Sequence, residues 1–175
     1  MSTIRCTTFD TPLGTLLVAA SDRGLRGIWF DGQRHFAGRD PAWQSDPRAP
    51  LLRDAVAQLD AYFARGLRRF DLPLDPVGTP FQRAIWDAIA NVPYGATQSY
   101  GALAAAAGAA GAARAAGAAT GRNPLGIVVP CHRIVGSQGA LTGYAGGLDR
   151  KRALLALERG TRELFADDAR ATVHA

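Results

Sequence analysis

The sequence predicts an α+β fold: a small N-terminal α/β unit, an antiparallel meander plus one helix, followed by a mostly helical C-terminal domain with a helix-turn-helix. Three observations predict it. Short β-branched runs crowd residues 4–30, helical periodicity dominates from Leu51 onward, and the proline-rich "DLPLDPVG" at residues 71–78 separates the two regimes. The division expected is therefore 1–74, 75–160 and a polar tail, 161–175, that is loosely held.

Residues 4–9, 15–20 and 25–30 are apolar or β-branched runs separated by "DTPLG" and "SDRG", which read as tight turns between antiparallel strands. From Leu51 to Phe63 the positions Leu52, Ala55, Val56, Leu59, Tyr62 and Phe63 share one helical face, and Gly66 is available to end the helix. Residues 71–78 should be extended, since each proline fixes its own φ and turns its predecessor away from helix. Thr79-Pro80-Phe81-Gln82 reads as a capping box with proline at the first helical position. The helix it opens places Phe81, Ala84, Ile85, Ala88 and Ile89 on one face and stops at "VPYG".

Residues 101–121 hold only Ala and Gly apart from Leu103, Arg114 and Thr120. Ser99 can cap a helix running to about Ala107, "GAAG" makes a turn, and a second helix follows to about Thr120. A helix with ordinary side chains is ~10–12 Å across and the minor groove of B-DNA only ~6 Å wide, so a helix shaved to Ala and Gly can come closer to such a groove. The competing reading is a core helix packed tightly on its neighbours. A last amphipathic helix spans residues 148–158 and is stopped by Gly160.

At 175 residues the chain can bury an ordinary core. Two cysteines, Cys6 and Cys131, are too few for a disulfide framework, and no signal-like start or membrane-length apolar run is present. A cytoplasmic, reducing setting with Cys131 as a free thiol is the expectation, with no membrane partner. The pI near 9.9 comes almost wholly from arginine, Lys151 being the only lysine. Arginine suits phosphate, but a G+C-rich genome would inflate Arg, Ala and Gly together.

"VVPCHRIVG" sets Cys131 beside His132 after what reads as a short strand. The cysteine has three readings: a structural thiol, a metal ligand or a nucleophile. Zinc needs about four ligands, and Cys6, Cys131, His35, His132 and His174 lack ligand-like spacing, so no metal is expected. A nucleophile needs a base, and His132 is nearest, yet neighbours on a strand point to opposite faces, so a turn or a bridging water is required. Glu158 sits at the C-terminal end of the last helix, where the macrodipole disfavours an exposed carboxylate by roughly 0.3–1 kcal/mol. It can orient His132, completing a nucleophile–base–carboxylate arrangement.

"PCHRIVG" at residues 130–136, "LTGYAGG" at 141–147, "RNP" at 122–124 and "FQRAIWDAIANVPYGATQSYGALA" at 81–104 together resemble the O6-alkylguanine-DNA alkyltransferases, in order and in spacing. "FDTPLG" and "ASDRGL" resemble the amino-terminal half of the same family, and the resemblance is to its stand-alone bacterial type. The resemblance implies irreversible, stoichiometric transfer of an alkyl group from O6 of guanine, and from O4 of thymine, to Cys131, without a cofactor. It implies that His132 acts through a water, that Glu158 orients it and that Asn123 ties the cysteine turn together. The lesion must be flipped out of the duplex, at a cost of a few kcal/mol.

In the family the second helix of the helix-turn-helix does this from the minor groove of double-stranded DNA. The resemblance carries that role to the helix of Ala113, Arg114 and Thr120, with Arg114 standing in for the extruded base. It sets Tyr100 beside the flipped nucleotide's phosphate, as proton donor to guanine N3, and it makes Tyr144, Ala145, Gly146 and Gly147 the wall of the base pocket. A monomer in solution is implied, with cooperativity on DNA left open. The turn "GAAGAARAAG" lacks a proline and a lysine common in the family, and Ala145 replaces a serine of some members. Two other classes compete: a non-catalytic module that recognises alkylated DNA, against which Cys131 speaks, and a cysteine hydrolase, against which Tyr100 and Arg114 speak.

Overall fold

A computed structural model describes residues 2–160, so the tail expected to be loosely held lies outside the described residues. The chain begins with the expected meander, β1 (Arg5–Thr11), β2 (Gly14–Ala20) and β3 (Leu25–Phe30). Thr11 faces Gly14 across the first hairpin, and the ladder runs in register to Arg5 opposite Ala20. A two-residue strand, β4 (Gln44–Ser45), joins β1 in parallel, giving the order β3-β2-β1-β4. Alternation along the strands sends Leu16, Val18, Ile28 and Phe30 to the main core, while Cys6, Ala19 and Trp29 form a smaller cluster on the other face. Phe36 and Trp43 both stack on Trp29, at 4.5 and 5.8 Å between ring centroids, and pack against that cluster.

Helix α1 (Pro50–Phe63) buries Leu52, Ala55, Leu59 and Tyr62, whereas Val56 and Phe63 are only half-buried. Gly66 does not terminate it. The helix ends at Ala64, and Arg65 takes the left-handed conformation at φ 63° while Gly66 donates its N–H to Ala61 O at 2.8 Å. The proline-rich stretch is extended and fastened to β3: Leu25 N donates to Pro73 O and Asp75 N to Leu25 O, both at 2.8 Å.

Helix α2 (Pro80–Ala90) opens on the expected capping box, Thr79 Oγ1 accepting from Gln82 N and Gln82 Oε1 from Thr79 N. Its buried side chains are Ile85, Trp86 and Ile89, and Phe81 is exposed, so the buried face is turned by about one residue from the expected one. The reason is a second neighbour: Trp86 reaches α4 (Ala113–Gly121) and donates its indole N–H to Ala119 O at 2.9 Å. After the short strand β5 (Gln98–Ser99), Ser99 caps α3 (Tyr100–Ala106). Gly108 and Gly111, at φ 76° and 85°, supply the left-handed residues that reverse the chain between α3 and α4. Helix α4 has a packed side, as the core reading of its composition requires, and an exposed side as well. Ala116, Ala119 and Thr120 are packed inside, while Arg114, Ala115 and Ala118 form a bare outer face.

β6 (Ile134–Val135) pairs in parallel with β5, and α5 (Leu148–Arg159) ends on Gly160 in the left-handed conformation. The apolar core runs without a break from Leu16 and Phe30 through Ile85 and Leu103 to Leu154 and Leu157. No helix among the described residues is long and apolar enough to cross a membrane.

Candidate active site

Residues 128–130 are not a strand. Leu125 makes one isolated parallel bridge to Ile28 of β3, and Cys131–Arg133 form a single 3-10 turn. The objection that Cys131 and His132 must face opposite ways therefore falls away. Asn123 shapes the turn: its Nδ2 donates to Val129 O at 2.8 Å and its Oδ1 accepts from Leu125 N at 2.9 Å. Between them Ile127 is buried at φ 71°, a conformation that a β-branched residue adopts only when its surroundings dictate it. Ile28 N donating to Pro124 O and Gly126 N to Ile28 O complete the frame, so the first sheet helps to hold the cysteine turn.

Cys131 is 7% exposed, at the floor of a cavity of about 230 Å³. Tyr144 and Ala145, two of the four residues expected to wall the base pocket, line it together with Tyr100 and Thr120, expected to contact DNA, and with Arg34 and His35 from the first unit, which the sequence reading did not name. Burial pushes the Cys131 thiol up, against the opposing effects of the Asn123 side chain and the Lys151 charge. His132 is fully buried and its Nε2 lies 2.7 Å from Glu158 Oε1. Desolvation pushes the imidazole down, toward the neutral form, against the pull of Glu158. A neutral ring that donates Nε2–H to the carboxylate keeps a basic lone pair on Nδ1, which is buried and has no hydrogen-bond partner among the described residues.

The exposed-carboxylate reasoning does not apply to Glu158, whose side chain is wholly enclosed. It accepts from Tyr62 Oη at 2.7 Å, Arg133 Nε and Nη2 at 2.9 Å each and Gly95 N at 3.2 Å, besides His132. Burial alone would raise its carboxyl. The hydrogen bond of His132 and the hydrogen bonds and charge of Arg133 outweigh that and hold it well below the usual carboxylate range. Tyr62 and Arg133 are functional neighbours that the sequence reading missed.

So is Lys151, fully buried, whose Nζ donates to Ile134 O, to Thr142 O at 3.2 Å and to Gly143 O at 3.1 Å. Desolvation pushes its ammonium down to about 8. Its being the only lysine in an arginine-rich chain was a usable signal.

The other expected residues are placed unevenly. Tyr100 is half-buried and donates its hydroxyl to Thr142 O at 2.9 Å, and burial pushes its phenol up. The Thr120 hydroxyl donates to Ala116 O at 2.7 Å. Gly146 and Gly147 stand behind the lining: Gly147 N donates to Tyr144 O at 2.9 Å, which leaves that amide engaged. Ala113 and the exposed Arg114 lie at the start of α4, outside the cavity. Among the described residues there is no group of three or more His, Cys, Asp or Glu that could hold a metal.

Fold and site together define a protein with a buried free cysteine lining a cavity, a buried histidine–carboxylate pair adjoining it in the chain and a small-residue helix that lines the same cavity. Residues 4–76 match the model of the 6-O-methylguanine DNA methyltransferase ribonuclease-like domain, and residues 80–160 that family's DNA-binding domain. The methylated-DNA–protein-cysteine methyltransferase of Mycolicibacterium paratuberculosis is 51% identical over 152 residues, covering 87% of this chain and 90% of that protein. The protein of the same name from Methanosarcina acetivorans is 44% identical over 151 residues, 86% of this chain and 95% of that one. The crystal structure of Mycobacterium tuberculosis OGT in complex with DNA superposes with a TM-score of 0.82 at 47% identity, covering 90% of this chain and 92% of that one. The chain belongs to the 6-O-methylguanine DNA methyltransferase family.

Proposed function

We propose that this protein repairs alkylated DNA by moving one alkyl group from O6 of guanine, or O4 of thymine, to Sγ of Cys131. The S–C bond forms as the C–O6 bond breaks, and guanine leaves with the electron pair. The thiol proton passes through a water to His132 Nδ1, Glu158 stabilises the imidazolium, and the Tyr100 hydroxyl protonates guanine N3. The product thioether is not a leaving group that water displaces, so each chain acts once. The observation that carries this reading is the buried thiol lining the cavity, next in the chain to a histidine that burial holds toward the neutral form and whose Nδ1 has no partner among the described residues.

Residues 1–74 and 75–160 are read as two units, with the chemistry in the second. The bare face of α4 enters the minor groove, Ala113 and Thr120 flank the approach, and Arg114 fills the place of the extruded nucleotide. The small wall of Tyr144 and Ala145, backed by Gly146 and Gly147, receives the base. The protein works as a monomer in solution, in the cytoplasm and without a cofactor.

Intact mass after incubation with a duplex holding one O6-methylguanine tests this. The expected result is a gain of one methyl, mapped to Cys131 and absent in Cys131→Ala. An unchanged mass with tight, lesion-specific binding would leave a damage-recognition module with an idle cysteine.

A further inference from the structure

The wall of the cavity is fastened at both ends by adjacent residues of α5. Lys151 holds its near end, through Thr142 and Gly143, to the C-terminal core. Arg150 holds its far end to the N-terminal unit. The Arg150 guanidinium donates from Nε to Leu13 O at 2.8 Å and from Nη1 to Gly146 O at 3.1 Å, and it lies over the Phe30 ring at 4.4 Å. One planar fork thus ties the β1–β2 hairpin to the wall, a geometry that a lysine's single ammonium does not reproduce. The packing behind the wall is close. A Cβ on Gly146 would stand 2.7 Å from the Tyr144 ring and 3.1 Å from Phe30, and one on Gly14 2.9 Å from Arg150 Nη2. A second tie lies alongside, Arg34 N donating to Ala145 O at 3.0 Å.

We infer that Arg150 is a positioning residue that sets the distance between the Tyr144–Gly147 wall and Cys131, and so the size of alkyl group the cavity accepts. The Tyr144 ring rests on Gly146, and Gly146 rests on Phe30 and Arg150, so the wall takes its position from the N-terminal sheet. Without the guanidinium the far end of the wall loses its side-chain tie, while Lys151 still holds the near end. The cavity then loosens rather than collapses, which penalises a small group that needs a close fit more than a bulky one. This inference rests on the function proposed above.

The test is single-turnover kinetics on wild type, Arg150→Ala and Arg150→Lys, with O6-methylguanine or O6-benzylguanine at the same position of one duplex. Because each chain acts once, the number of alkyl groups taken up counts folded, competent molecules, and the rate constant reports positioning. In Arg150→Ala the methyl rate constant should fall on the order of tenfold at full uptake, a loss typical of a displaced reacting group. The benzyl rate constant should fall less, raising the benzyl-to-methyl ratio several-fold, and Arg150→Lys should recover part of both. Equal losses on the two lesions, or a loss confined to uptake with wild-type rate constants, would overturn it. If wild type takes up no alkyl group, the proposed function fails instead. Hydrogen exchange at the Arg34 and Gly147 amides then decides the role of Arg150: faster in Arg150→Ala if it fastens the wall, unchanged if it does not.

Discussion

Replacing Glu158 by glutamine deletes one charge from a site with no room and no solvent to compensate it. The carboxylate is wholly enclosed and accepts from Tyr62, His132, Nε and Nη2 of Arg133 and Gly95. An amide offers one acceptor oxygen and turns its NH2 toward a ring of donors. The Arg133 guanidinium is then left buried without its counter-charge, its Nη1 still donating to Val92 O at 2.6 Å. Removing one partner of a buried pair costs about 3–5 kcal/mol. For a chain of this size each kcal/mol lowers Tm by roughly 2–4 °C, so the fall should be about 6–20 °C.

The sign of the pH dependence follows from the depressed carboxyl. The stabilisation is fully present above the unfolded-state pKa of about 4.3 and is lost as pH falls from there toward the folded value. Urea unfolding of both proteins from pH 7 down to pH 3 measures it. Wild type should lead at neutral pH, and the gap should narrow steadily below about pH 4.3. A gap under about 1 kcal/mol at pH 7, or one that stays constant in acid, would refute the claim that this carboxylate is held charged by buried donors.

Two further outcomes follow from the same geometry. Tyr62→Phe removes one donor to a charged acceptor and should cost about 1.5–3 kcal/mol by denaturant unfolding, with one alkyl group still taken up per chain. Arg114→Ala should slow repair in duplex DNA more than reaction with free O6-benzylguanine, because only the duplex needs a nucleotide replaced. Equal slowing in single-turnover assays on the two substrates would remove that role.

The meander, the capping box at Thr79 and the paired helices around "GAAG" were legible because each is local. Period-two runs, a side chain bonding three residues on, and left-handed glycines all write themselves into short stretches. The two-residue strands β4, β5 and β6 were not, since a pair of residues has no period. The buried side of α2 was misjudged at Trp86 because a single helix does not announce that two neighbours flank it. At the site, Cys131, His132 and Glu158 were read from motif and resemblance. Tyr62 and Glu158 are 96 residues apart and meet only through the fold, as do Leu13 and Arg150. Arg133 adjoins His132 in the sequence, yet its partner could be known only once Glu158 was seen to be inside.

The enclosed thiol of Cys131 has a consequence for the protein's idle life. A reagent that can be used once has to survive until it is needed. Peroxides and stray electrophiles attack thiolates, and a thiol that burial pushes up offers them little thiolate to attack. The molecule waits with its chemistry disarmed, and the base that enters the cavity is what brings a target within reach.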